Sequence, residues 1–206
     1  MQRVTVIVPL KALAFAKGRM SSELDPAARR ELATWMLERV LSACHACDLV
    51  ERVVVIAGDA DGAAEATRHG AQVLAQTGSG LPAALAQADA ALQGCPATLV
   101  LAADLPLAEA ADLELVIRAA PDEPAVVVVP TRDGGTGALL RRPGTVIGTA
   151  YGPDSAAAHL ALAQAAGIPA VCLPVEHLSV DIDTPDQLAG LGPSWGGAFH
   201  IRAPGA

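Results

Sequence analysis

Residues 97–107 read ATLVLAADLPL. From Ala97 to Ala103 the run is apolar except for Thr98, and it ends in Asp104, followed by Leu105 and Pro106. A strand with one wet face alternates apolar and polar residues. A run without alternation has both faces covered. The stretch therefore predicts a fully buried strand over 97–104, with a carboxylate at its tip before a proline turn. Such a strand belongs to a sheet with a layer of helices on each side.

The same rhythm extends both ways. Strands are expected at 3–9 (RVTVIVP), 52–58, 71–76 and 124–130, with shorter ones after the Gly-rich TRDGGTGALL and at 169–174 (PAVCLP). Helices are expected between them. Residues 24–44 form the clearest, with Asp25 as cap and Pro26 in the first turn. Others fall at 61–70, 80–92, 109–120, 154–167 (Asp154 as cap) and 184–191 (Thr184 as cap, Pro185 first). This predicts one α/β domain over 1–191, a mostly parallel twisted sheet with helices on both faces. The Gly- and Pro-rich tail, 192–206, is expected to be irregular.

The 206 residues are 52% apolar but only 2% aromatic, so small aliphatic side chains must fill the core. No apolar run is long enough to span a membrane, and the N-terminus runs straight into a strand instead of a leader. A cytoplasmic protein is the expectation. Net charge is −8, unevenly spread. Residues 1–22 hold Arg3, Lys11, Lys17 and Arg19 and no acid; the remainder holds ten basic and twenty-two acidic residues, −12. An acidic body argues against nucleic acid, whereas a small basic spot suits a compact anion. A solvated charged loop is the plainer alternative. Cys44 and Cys47 have CxxC spacing, but Cys95 and Cys172 stand alone, so helix packing is expected and not zinc.

In doubly wound sheets, ligands sit at the carboxyl ends of the strands. Those loops carry Lys11 to Arg19, Gly58–Asp59, Asp104–Pro106 and Arg132–Gly137. Cations, flexible backbone and carboxylate together suit a nucleoside triphosphate with Mg²⁺. Asp104 is the strongest single candidate, because a carboxylate on a buried strand is costly unless paired. The alternative is a cap for a helix beginning near Leu107. Asp181 and Asp183, two apart, share a face if extended. Gly78 and Gly80 at a helix entrance are a weak phosphate or base signal. Neither a Walker GxxxxGK[ST] nor a Rossmann GxGxxG is present.

VPLKALAFAKGRM, LDPAARRELATWML, ADLPL, GGTGALL, YGPDSAAAHLALA and SVDIDTPDQL occur in that order. Together they resemble the CofC/FbiD family, the guanylyltransferases of coenzyme F420 biosynthesis, over residues 4–190. The resemblance implies a nucleotide-diphospho-sugar transferase (glycosyltransferase A-like) fold. It also implies a Mg²⁺-dependent reaction of GTP with a phosphorylated three-carbon acid: phosphoenolpyruvate, 2-phospho-L-lactate or 3-phospho-D-glycerate. By the same resemblance, Lys11, Lys17 and Arg19 match the basic loop and Asp104 the metal-binding aspartate. Asp181 and Asp183 match the later acidic pair, and Gly80 and Leu81 the nucleobase side. Thr136, Gly152 and Ser155 match the acceptor side, where the helix after Pro153 is expected to aim backbone N–H groups at the acceptor's anionic groups. The family often has Asn where this chain has Pro82 and Gly137. Other readings are a nucleotidyltransferase for molybdopterin or a sugar phosphate, and a non-catalytic nucleotide-binding module. A homodimer across a helix edge is compatible with the sequence.

Overall fold

The computed structural model describes residues 3–121 and 123–191. The tail expected over 192–206 lies outside the described residues. Seven strands form one sheet: β1 (Val4–Leu10), β2 (Val50–Ala57), β3 (Gln72–Ala75), β4 (Thr98–Leu101), β5 (Ala125–Pro130), β6 (Thr136–Arg142) and β7 (Ala170–Cys172). Their spatial order is β3-β2-β1-β4-β6-β5-β7. Every neighbouring pair is parallel except those made by β6, which runs antiparallel to both β4 and β5.

Among the described residues five helices connect the strands, α1 (Pro26–Ala46), α2 (Ala60–Arg68), α3 (Gly80–Ala91), α4 (Ala110–Ala119) and α5 (Ser155–Ala165), and α6 (Pro185–Gly190) follows the last strand. The strand pleat sorts side chains between two cores. Val4, Val6, Val8, Leu99, Leu101, Val127 and Val129 pack with α1 and α4 on one face. Ile7, Val54, Ile56, Val100, Val126, Val128 and Leu139 pack with α3 and α5 on the other. The unalternating runs are thus buried on both sides, as their composition requires. Cys44 and Cys47 are buried in the first core, and burial pushes the Cys44 thiol up to about 12. No helix among the described residues is long and apolar enough to cross a membrane.

Two local expectations are corrected. The strand predicted over 97–104 stops at Leu101, so Asp104 stands in the turn that follows and not on the strand. The Asp154 side chain does not cap α5: its backbone is left-handed, φ 53°, and the carboxylate makes no cap hydrogen bond. By contrast Asp25, Asp59 and Thr184 do cap α1, α2 and α6.

The sheet order positions the site. From β1 the chain moves outward to β2 and β3, then returns to place β4 on β1's other side. The carboxyl ends of β1 and β4 are therefore adjacent at the point where strand order reverses. Reversed β6 brings its first residue, Thr136, to this same edge, and the Ala102 N–H donates to the Gly137 carbonyl at 3.0 Å.

Candidate active site

After β1 the chain makes two 3-10 turns, Leu13–Phe15 and Gly18–Met20. Leu13, Ala16 and Met20 are buried and pin this loop down, leaving Lys11 and Arg19 exposed. Asp59 clamps it from β2's end: one carboxylate oxygen accepts from Ala14 N–H at 3.3 Å while the other caps α2 through Gly62 N–H at 2.8 Å. Gly58 permits this approach, since a Cβ there would lie 2.6 Å from the Ala12 nitrogen. The loop thus turns at Lys17, one of only two described non-glycine residues with positive φ (50°); the other is Asp154. Non-glycine residues in this region carry about 1–3 kcal/mol of strain and concentrate at functional sites.

Met20 packs with Leu24, Leu32, Met36, Ile182 and Leu188 in a third, smaller core. Ile182 is the middle residue of Asp-Ile-Asp. Burying it turns Asp181 and Asp183 the other way, and the Ile182 N–H donates to the Asp104 carbonyl at 3.3 Å. One apolar contact therefore joins the basic loop to the acidic loop, and one backbone bond ties both to the turn after β4.

The charged groups then meet. Lys17 Nζ donates to Asp104 Oδ2 at 2.8 Å and to Asp183 Oδ1 at 2.9 Å, and Arg19 Nη1 reaches Asp183 Oδ2 at 3.3 Å. The Lys17 side chain is 8% exposed, the two carboxylates about a third. Burial pulls the Lys17 ammonium down, but Asp104 and Asp183 more than reverse it, so its pKa ends above the ordinary lysine value. The chain segment around Lys17 holds no acid, yet its acidic partners arrive from distant elements. Burial raises the Asp181 carboxyl, and the neighbouring charges of Asp104 and Asp183 raise it further. Asp133 is held low by the Thr131 hydroxyl and Gly135 N–H. Lys11 is exposed and has no ion pair among the described residues. The helix-cap alternative for Asp104 fails, because α4 begins at Ala110 with Glu109 in the cap position.

Among the described residues, no three His, Cys, Asp or Glu side chains form a ready-made metal cage. What the site offers is two carboxylates converging on one cation, the lysine ammonium, with a third carboxylate beside them. Mg²⁺ in phosphoryl-transfer sites is held by one or two carboxylates plus substrate phosphates. The donor set fits a Mg²⁺ bound in that way.

At the other end of the sheet edge, the Gly-rich turn before β6 and the start of α5 come together. The Ala156 N–H donates to the Gly134 carbonyl at 3.2 Å, and the Ser155 N–H to the Gly152 carbonyl at 3.2 Å. These bonds correct the expectation for the helix after Pro153, since two of its first-turn donors are already used inside the protein. Gly152 is exposed on the turn before α5, whereas Ser155 and Thr136 are buried, 1% and 6% exposed. Their hydroxyl oxygens are 3.0 Å apart. Gly137 follows Thr136 for a steric reason: a Cβ would sit 2.0 Å from the Leu178 carbonyl oxygen. No side chain fits there on this backbone.

Gly80 and Leu81 are exposed at the start of α3, with Gly80 at φ 81° and its carbonyl accepting from Gln76 Nε2 at 2.9 Å. They lie in the layer opposite α1 and make no hydrogen bond to the lysine loop. Two participants escape a reading of the sequence. Gln187 ties down the Asp183 and Thr184 N–H groups at 2.8 Å each, and a Gln three residues after a capping Thr is a recognisable sign. His159 gives no such sign: it looks like one more residue of an Ala-rich helix, yet it is 0% exposed and bonded to Thr136.

Residues 4–192 match the family described as Guanylyl transferase CofC like. A phosphoenolpyruvate guanylyltransferase of Sphaerobacter thermophilus is 35% identical over 91% of this chain and 93% of its own. One of Rubrobacter xylanophilus is 37% identical over 97% and 98%. Among solved structures, one assigned to a nucleotide-diphospho-sugar transferase of Desulfovibrio desulfuricans G20 aligns with TM-score 0.74 at 17% identity, covering 99% of this chain and 92% of that one. A cytidylyltransferase of Leptospira borgpetersenii aligns at 0.64 and 12%, covering 93% and 85%. The structural likenesses establish the nucleotide-diphospho-sugar transferase fold. The family match, with relatives more than 30% identical along nearly the whole of both chains, goes further: this chain belongs to the CofC-like guanylyl transferase family.

Proposed function

We propose that this protein transfers the guanylyl group of GTP to phosphoenolpyruvate and releases diphosphate, as a step of coenzyme F420 biosynthesis. The observation that carries the reading is the Lys17–Asp104–Asp183 cluster at the β1/β4 switch point, on the same sheet edge as the Thr136–Ser155 pair. Phosphoenolpyruvate is preferred among three-carbon phospho-acids because the relatives cited are named for it.

The attacking atom is an oxygen of the acceptor's phosphate, already ionised at neutral pH. It forms a bond to the α-phosphorus of GTP, the bond from that phosphorus to the bridging oxygen breaks, and diphosphate carries the electron pair away. No protein nucleophile is needed; rate comes from alignment and from stabilising charge on the phosphoryl oxygens. Lys11, exposed and unpaired among the described residues, and Arg19, 78% exposed at its side chain and able to exchange Asp183 for phosphate, can turn onto the triphosphate. Lys17 is held by its two aspartates until competing oxygens arrive. Asp104 and Asp183, with Asp181 beside them, would hold Mg²⁺, which when bound neutralises phosphate charge. Gly80 and Leu81 are assigned to the base, and Thr136, Gly152 and Ser155 to the acceptor.

The test is diphosphate release from GTP and Mg²⁺ with phosphoenolpyruvate, 2-phospho-L-lactate or 3-phospho-D-glycerate, the products identified by mass. Release with phosphoenolpyruvate and a guanylylated product is expected. Ser155→Ala should raise the KM for the acceptor far more than that for GTP. Turnover only with a sugar phosphate or a pterin acceptor, or none with any, would replace this assignment.

A further inference from the structure

We propose that His159 is a positioning residue for the acceptor end of the site: it sets the hydroxyl pair Thr136–Ser155 to donate a hydrogen bond to an anion. The inference deepens the proposed function and rests on its assignment of that pair.

Hydrogen bookkeeping around the imidazole makes the case. The Ala150 N–H donates to His159 Nε2 at 2.9 Å. A backbone N–H cannot accept, so Nε2 carries the lone pair and the neutral ring carries its hydrogen on Nδ1. Nδ1 lies 3.1 Å from Thr136 Oγ1 and therefore donates to it. Thr136 Oγ1 and Ser155 Oγ are 3.0 Å apart, and one of their two hydrogens fills that contact. The other hydrogen has no acceptor among the described residues. A buried O–H without a partner favours any oxygen anion that reaches it.

The opposite tautomer would reverse this. With Nδ1 accepting, the Thr136 hydrogen would go to the ring and the Ser155 hydrogen to Thr136 Oγ1. Both hydrogens would be used, and the pair would present only lone pairs to a phosphate or carboxylate. The Ala150 contact thus decides, two bonds away, whether the site attracts or repels its ligand. The surroundings keep the ring neutral: it is fully buried, Tyr151 lies edge-on to it at 4.9 Å, and nearby Arg141 disfavours a second positive charge. Arg141 is itself held by both oxygens of Asp89, at 3.0 and 2.6 Å.

Two substitutions separate positioning from packing. In His159→Asn the side-chain amide nitrogen can take the place of Nδ1 and donate to Thr136, while the Ala150 contact is lost. In His159→Gln the amide oxygen can take the place of Nε2 and keep Ala150, while Thr136 loses its donor. Steady-state kinetics with GTP and phosphoenolpyruvate should show the KM for phosphoenolpyruvate raised about tenfold or more in His159→Gln, with the KM for GTP within about twofold of wild type. His159→Asn should recover most of the loss, even where its Tm is the lower of the two. Equal damage in both variants, or KM values and kcat changing in step with Tm, would overturn the inference. A wild-type protein that guanylylates no phospho-acid would instead defeat the proposed function. In that case calorimetric binding of phosphoenolpyruvate to the same three proteins decides the role of His159, with the same order expected and equal binding to all three overturning it.

Discussion

At one end of the site Lys17 lies between Asp104 and Asp183, with Arg19 on the outer oxygen of Asp183. At the other, Ala150, His159, Thr136 and Ser155 form a chain of neutral hydrogen bonds. The first end is ionic and its carboxylates are a third exposed; the second is buried and uncharged. Ion pairs open to water are worth little individually and exchange partners readily. Neutral chains in a dry setting hold one arrangement and polarise along their length. In the proposed reaction the ionic end can therefore give up its internal partners to a triphosphate, whereas the neutral end is set in advance. Substitutions at the two ends should differ accordingly: chemistry is lost at the first, acceptor affinity and fold stability at the second.

The largest effect is expected from Asp104→Asn. The change keeps the shape, and the backbone carbonyl still accepts from Ile182 N–H. It removes an anionic oxygen from the point where Lys17 and, in the proposed reaction, Mg²⁺ are held. Turnover should fall about a hundredfold or more, with Tm shifted by only a few degrees, since the Lys17 ammonium keeps Asp183 as its partner. Full activity at low Mg²⁺ would make the Lys17–Asp104 pair a structural tie and erase the contrast between the two ends.

Gly137→Ala tests the other end. Its Cβ would meet the Leu178 carbonyl, which is backbone and cannot swing aside. Overpacking of this kind costs about 3 kcal/mol, and relief requires β6 to move away from the loop carrying Leu178. Thr136 moves with it. A lower urea midpoint and a raised acceptor KM should appear together, while the KM for GTP holds. If Tm is unchanged, the close approach at Gly137 does not set the position of Thr136.

The same contrast explains what could be read from the sequence. The unbroken run around Leu99 and Val100 announced a doubly covered sheet, because solvent exposure leaves its mark on every second residue. Lys17 and Asp104 stood out because charges next to buried strands need a reason. That they pair with each other was not legible: Lys17 has no acid near it in sequence, and its partners come together only because Met20 and Ile182 share one small core. β6 was legible as a strand but its antiparallel direction was not, since direction is settled by pairing partners and not by composition. His159 was invisible for a related reason. A histidine in a helix of alanines gains its role from Ala150 and Thr136, contributed by a preceding loop and a strand, and nothing local records them. Gly137 was read as a departure from a family habit; the carbonyl facing it gives the physical cause.

The smallest effect concerns acid stability, and it follows from the neutrality of the inner end. Burial, with Arg141 adding to it, lowers His159 from 6.5 to about 4. Between these values the unfolded chain binds a proton that the native imidazole refuses. Stability therefore rises with pH across the window: the contribution is fully present above 6.5 and is lost as pH falls toward 4. Other groups around the ring do not supply the missing counter-charge. Arg141 is cationic, its partner Asp89 is engaged by it, and burial pushes the Tyr151 phenol up, so it stays neutral. Protonation would also point an N–H at the Ala150 N–H and break that bond. One proton linked over this interval amounts to about 2 kcal/mol between pH 7 and pH 5. Asparagine at the same position does not titrate. Urea unfolding of wild type and His159→Asn at both pH values should show wild type losing about 2 kcal/mol more than the variant, whatever their difference at pH 7. Equal losses would mean that His159 is protonated in the native state, and the direction of the Thr136–Ser155 chain would then have to be set by something other than Ala150.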